Sequence, residues 1–189
     1  MSDYAEFVRG KKIALVGPYC PPPDEELEQF DLVIRFNAHY TPKHRADIVY
    51  HNGSVSIIPE LFAVPKWFVY RAHFPPHMHR ELFRLAEIHK TLLFKLGWDD
   101  VRKTGLRCPT IGLMALVHLL GFQPAELHLL GQNLYGHIPR ANKGGHQLPN
   151  HAQRFLELRE QHENIFFSEE LLTTLLVGAT SPEALWLPR

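Results

Sequence analysis

The sequence predicts the α/β class: a single Rossmann-like domain over residues 1–189, with a mostly parallel sheet flanked by helices. Three observations lead there. Short apolar runs rich in β-branched and aromatic residues end at glycine or asparagine. Farther along, helical and strand periodicities alternate. Finally, 45% hydrophobic residues in a chain of 189 supply one sizeable core.

The first strand is expected over residues 12–17 (KIALVG), because Gly17-Pro18 and three prolines after Cys20 cannot continue it. Residues 32–37 (LVIRFN), 46–52 (ADIVYHN) and 67–72 (WFVYRA) repeat the pattern and give four early strands. From 77 to 97, Leu82, Leu85, Ala86, Ile88, Leu92, Leu93 and Leu96 recur at helical spacing, which predicts one long helix stopped by Gly97. Asp99-Asp100 then reads as a solvated turn.

Thr110 is placed to cap a second helix reaching Leu120, and Gly121 and Pro124 lead into a strand over 126–131 (ELHLLG). Residues 136–150 carry Pro139, Gly144, Gly145 and Pro149 and no apolar stripe, which predicts a mobile polar loop and a lid over 137–150. A helix is expected over 151–163, a strand over 164–167, and a closing helix opened by Ser168, Glu169 and Glu170.

Charge and cysteine content narrow the function classes. Twenty basic and 20 acidic side chains cancel, with the 13 histidines taken as neutral, so nucleic acid is a poor partner. No apolar run is long enough to span a bilayer, and no basic segment followed by an apolar stretch opens the chain. A soluble cytoplasmic protein without a membrane span is expected, with peripheral attachment to the inner membrane face left open. Cys20 and Cys108 make neither a disulfide framework nor a CxxC knuckle, in keeping with a reducing compartment.

In an open parallel sheet, ligands bind beyond the carboxyl ends of the strands. The residues that finish the expected strands are Gly17, Asn37, Asn52 and the Gly131-Gln132-Asn133 turn. Asparagine offers a donor and an acceptor, suited to ribose hydroxyls and a base edge, and glycine admits close approach to the backbone. Asparagine also ends strands for turn reasons alone. The helix start at Cys108-Pro109-Thr110-Ile111-Gly112 suits a phosphate, and equally suits an ordinary threonine cap. His151, at or near a helix start after the polar loop, is a candidate proton acceptor.

A zinc site is the competing account, on His73, His77 and His79 around Pro75-Pro76, although their spacing is no ligand motif and HExxH does not occur. GxGxxG, GxxxxGK[ST] and GxSxG are missing, and no DxD pair ends a strand.

Taken in order, IALVG, FDLVIRFNAHY, ADIVYHN, PTIGLMALVHLLGFQPAELHLLG and NHAQRFLELREQHENIFF resemble the sialyltransferases from end to end, with the short bacterial enzymes closest in layout. The resemblance implies a GT-A-variant fold. It further implies that Gly17, Asn37 and Asn52 face the nucleotide, that Thr110 and Gly112 hold its ribose and phosphate, and that His151 is the general base. Arg35 belongs to the R-x-N-like element, and Tyr135, Arg140, Lys143 and His146 stand where phosphate or donor contacts are expected. Three features depart from the pattern. Gly17-Pro18-Tyr19-Cys20 replaces a Gly-Asn turn, Tyr135 is the only tyrosine near the late loop, and the chain is shorter than most relatives.

The implied activity is metal-independent, inverting transfer of a 2-keto sugar acid, sialic acid or Kdo, from a CMP-activated donor to a hydroxyl of a glycan or glycolipid acceptor. No cofactor is expected, because a single phosphate can be held by hydroxyls, asparagines and a helix start. The alternatives are a nucleotide- or glycan-binding module of the same fold that has lost turnover, and a metal-dependent hydrolase. Oligomeric state is left open.

Overall fold

The computed structural model describes residues 3–37, 43–53, 59–71, 76–132 and 148–180. The elements in order are α1 (Asp3–Val8), β1 (Lys12–Val16), α2 (Asp24–Leu27), β2 (Leu32–Phe36), β3 (Ile48–His51), a 3-10 turn (Pro59–Phe62), β4 (Trp67–Arg71), α3 (Pro76–His89) and β5 (Leu92–Leu96). They continue with α4 (Trp98–Lys103), α5 (Ile111–Leu120), β6 (Glu126–Leu130), α6 (Leu148–Gln161), β7 (Ile165–Phe167) and α7 (Glu169–Thr180).

Seven strands form one sheet in the order β5-β4-β3-β2-β1-β6-β7, and all pair in parallel. The order runs outward from β1 in one direction, then reverses to β6. The β1/β6 boundary is therefore the topological switch point, where a crevice opens beyond the strand ends.

Alternation along each strand assigns the two faces. Ile13, Leu15, Ile34, Phe36, Ile48, Tyr50, Trp67, Val69, Leu127 and Leu129 join one core with α1, α4, α5, α6 and α7. On the opposite face, Val49, Phe68 and Tyr70 meet α3 and the 3-10 turn, while Ala14, Val16 and Val33 meet Leu27 of α2.

One expected helix is corrected. The segment 77–97 is helical only to His89; Leu92–Leu96 is the edge strand β5. Lys90 takes a left-handed φ of 56°, which ends α3. Thr91 Oγ1 then donates to the Phe62 carbonyl at 3.1 Å, and Leu92 N–H to the Lys66 carbonyl at 2.9 Å, starting the ladder with β4. An edge strand is only half covered, so LLFKL carries no clean alternation, and its leucines continue the helical spacing by coincidence. Gly97 consequently precedes a helix rather than ending one. Its N–H donates to Asp100 Oδ2 at 2.9 Å, and Asp99 and Asp100 belong to α4, paired with Arg102 and Lys103.

A chain of buried hydroxyls and imidazole crosses the larger core. Tyr4 of α1 lies 2.8 Å, oxygen to oxygen, from Tyr50 of β3, whose hydroxyl lies 2.7 Å from Nδ1 of His118 in α5. Burial pushes the His118 imidazole down to about 4 and both phenols up. His118 is thus neutral, and the Tyr4–Tyr50–His118 hydrogen bonds tie the N-terminal helix to the sheet and to α5.

Candidate functional site

The carboxyl ends of β1, β2, β3 and β6 and the start of α5 meet at the switch point. Thr110 caps α5 with extended backbone, its Oγ1 accepting from Leu113 N–H at 3.4 Å and its carbonyl from Met114 N–H at 3.0 Å. The first-turn N–H groups of Ile111 and Gly112 are left as helix-start donors. Seven of the ten residues of α5 are buried, so its first turn is fixed against the sheet.

Gly17 and Gly131 let two loops cross at close range. Gly17 N–H donates to the Leu130 carbonyl at 2.8 Å and Tyr19 N–H to the Gly131 carbonyl at 2.9 Å. A Cβ at Gly17 would collide with the Gly131 carbonyl oxygen and come within 2.9 Å of Gln132 Cα. Gln132 follows this crossing. Its Nε2 donates to the Leu15 carbonyl at 3.3 Å, and its Oε1 lies 2.8 Å from where a Gly112 Cβ would stand. Both glycines therefore serve the joining of β1, β6 and α5, and the Gln132 carboxamide sits at the mouth of the helix start.

A direct consequence concerns stability. Gly17→Ala is expected to cost about 1–3 kcal/mol through forced backbone movement, read as a lower urea midpoint. An unchanged midpoint refutes the tight crossing.

Asn37 and Asn52 come together at the ends of β2 and β3. Asn37 is 8% exposed and left-handed, with φ at 50°. Its N–H donates to the Tyr50 carbonyl at 2.8 Å and its Oδ1 accepts from Asn52 N–H at 3.0 Å. The Asn37 carboxamide thus ties the ends of β2 and β3. Arg35 lies on the α2 face, in register with Val16 and Val49. At 2% exposure it donates to Asp24 Oδ1 and to the Arg45 carbonyl, each at 2.8 Å, so its guanidinium holds α2 and the approach to β3.

His151 is in the first turn of α6, where Pro149 is tolerated because that N–H has no helical partner. It is 1% exposed, and its Nε2 lies 3.2 Å from Thr110 N and 3.1 Å from the Cys108 carbonyl oxygen. One nitrogen cannot satisfy both. As the Nδ1–H tautomer it accepts from Thr110 N–H; as the Nε2–H tautomer it donates to Cys108, and the basic lone pair is then on Nδ1. One turn on, Arg154 Nε donates to the Thr104 carbonyl at 3.1 Å, while Ala152, Phe155 and Leu158 enter the core. The imidazole is therefore held rigidly against the α5 start.

Tyr135, Arg140, Lys143 and His146 lie outside the described residues, as do residues 137–147 of the expected lid; 148–150 open α6. Of the histidines considered for zinc, His73 lies outside the described residues, His77 is exposed, and His79 packs edge-on against Tyr70 and Phe83. Among the described residues, no three His, Cys, Asp or Glu side chains converge on a metal-sized site, and no helix is long and apolar enough to cross a membrane.

The sequence reading missed Arg71, at the carboxyl end of β4. Arg71 is half-buried, its Nε is sealed from solvent without an acceptor, and the Cys108 sulfur is an electrostatic neighbour. The available signal is the arginine near the end of WFVYRA; Ala72 lies outside the described residues.

No protein-family model and no curated protein matches the chain. Among solved structures, it is similar to the sialyltransferase CstII from Campylobacter jejuni, determined in complex with the substrate analogue CMP-3FNeuAc. That similarity has 10% identity and a TM-score of 0.49, over 83% of this chain and 78% of the other.

Proposed function

We propose that the chain is a glycosyltransferase of the sialyltransferase type, transferring a 2-keto sugar acid, sialic acid or Kdo, from a CMP-sugar to an acceptor hydroxyl. The observation that carries this reading is the meeting of Thr110 N–H with His151 Nε2, across 41 residues of sequence, at the switch-point edge of a parallel sheet. The phosphate stands before the Ile111 and Gly112 N–H groups, and the nucleoside against the ends of β1 to β3. The acceptor oxygen attacks the anomeric carbon from the face opposite CMP. The C–O bond to CMP breaks with inversion, CMP leaves with the bonding pair, and the acceptor proton passes to His151. A monophosphate leaving group needs neither metal nor strong acid in this scheme.

Incubation with CMP-Neu5Ac and with CMP-Kdo, each with and without EDTA, tests it. Release of CMP indifferent to EDTA supports the reading, and EDTA-sensitive release points to a metal-dependent hydrolase instead. Binding without turnover supports a module that kept the fold, a reading favoured by the 1% exposure of His151 and by Gln132 at the helix mouth.

Asn37 gives a sharper check. Asn37→Asp keeps the Oδ1 acceptor for Asn52 N–H and removes the amide donor, so the strand-end tie survives. CMP binding should weaken by about 1–3 kcal/mol with thermal stability preserved, if that donor meets the nucleotide. Unchanged affinity removes Asn37 from the site.

A further inference from the structure

The remaining feature at the carboxyl edge is a charge without a counter-charge among the described residues. Arg35, Arg45, Arg84, Arg102 and Arg154 each pair with a carboxylate. Arg71 is half-buried, has no carboxylate partner among the described residues, and keeps its Nε away from both solvent and any acceptor. Burial opposes its charge. Such an arrangement costs stability and persists where an anion completes it.

Its position says which anion. Arg71 pairs in register with Leu96 and follows Tyr70, so it stands on the face of Trp67, Val69 and Leu96, the same face as α5. Extending the β3–β4 register by one residue from His51↔Tyr70 puts Asn52 level with Arg71. From β1 to β4 there are three inter-strand steps of about 4.8 Å, about 14 Å in all. That span matches an extended nucleotide sugar, with its base at the switch point and its sugar toward β4. Cys108, near enough to act electrostatically on Arg71, directly precedes the Pro109-Thr110 helix start, so the phosphate falls between the two ends.

On the CMP-sugar reading, we infer that Arg71 is the anchor for the carboxylate of the donor's 2-keto sugar acid. The guanidinium fork matches a carboxylate in two parallel hydrogen bonds, and its half-exposed side chain is open to one. Such a contact selects a sugar acid over a neutral sugar through a residue outside the nucleotide contacts.

The test compares CMP, which has no sugar carboxylate, with the analogue CMP-3FNeuAc, titrated into wild type, Arg71→Gln and Arg71→Lys, with thermal unfolding of each protein without ligand. Arg71→Gln should weaken the analogue by about 10–100-fold while CMP affinity changes by less than about threefold, and Arg71→Lys should fall between. The unliganded Arg71→Gln protein should melt no lower than wild type, because an unpaired buried charge has been removed. Equal losses for both ligands put Arg71 on the phosphate and overturn the carboxylate assignment. Unchanged binding of the analogue, or a lower melting temperature for Arg71→Gln, makes Arg71 a structural residue. If wild type binds neither ligand, the CMP-sugar reading itself fails and this inference falls with it.

Discussion

His151→Ala is expected to lower turnover of the CMP-sugar by about 10²–10⁴-fold with little change in CMP affinity, the usual cost of losing a positioned general base. Position supports the size of the effect. The ring is clamped on the Thr110 and Cys108 backbone, and its helix is anchored by Arg154 on Thr104 and by Phe155 and Leu158 in the core. A base so fixed contributes fully once its acceptor arrives. The same contacts complicate the alanine variant, because Thr110 N–H loses its nearest acceptor and the helix start can shift.

His151→Gln separates the two effects. A glutamine oxygen can replace the acceptor for Thr110 N–H and cannot take a proton at neutral pH. Both variants inactive, with CMP affinity retained, is the expected result. An active His151→Gln makes His151 a positioning residue only, and full activity in His151→Ala removes the histidine-base mechanism. His146→Ala completes the comparison; activity lost there and kept in His151→Ala transfers the role to His146.

Much of this framework was legible in the sequence because it rests on local signals. Apolar runs closed by Gly17, Asn37 and Asn52 gave β1 to β3, and Thr110 followed by an unbroken apolar run gave α5 with its cap in place. What escaped depends on partners distant in the chain. The edge strand β5 has only β4 beside it, so neither alternation nor full burial marked it, and its leucines extended the α3 pattern. Arg71 closes its strand as an ordinary polar end in the sequence; that its Nε is sealed from solvent without an acceptor depends on the packing around β4. A glycine in the sequence does not say what stands against it; in the structure Gly131 lies against Gly17 and the Gln132 side chain against Gly112. His118, within a helix of leucines, gave no sign of partners 68 residues away on Tyr50 and, beyond it, on Tyr4.

That buried chain leads to the second large effect, a loss of stability in mild acid that His118 dominates. Above about pH 6.5 the imidazole is neutral in both folded and unfolded chains, and pH has no hold on it. As pH falls from 6.5 toward about 4, the unfolded chain takes up a proton that the folded protein refuses, so stability declines through that window and levels off below it. A depression from 6.5 to about 4 corresponds to about 3 kcal/mol in total. The Asp100 carboxylate favours the charged ring and Lys103 opposes it, but desolvation outweighs both. Both phenols stay protonated throughout, since burial raises them, so among Tyr4, Tyr50 and His118 only the imidazole changes charge across this window. Urea unfolding at several values between pH 7.5 and 4 measures the effect, with His118→Gln and Tyr50→Phe compared at each. His118→Gln should start less stable at pH 7.5, because its side chain fills the site less well, and should then lose about 3 kcal/mol less than wild type on acidification. Tyr50→Phe removes the hydroxyl 2.7 Å from Nδ1 but keeps the ring buried, so its acid decline should persist from a lower starting point. Parallel pH profiles for wild type and His118→Gln would show that carboxylates elsewhere cause the acid sensitivity and that His118 is already hydrated in the folded protein.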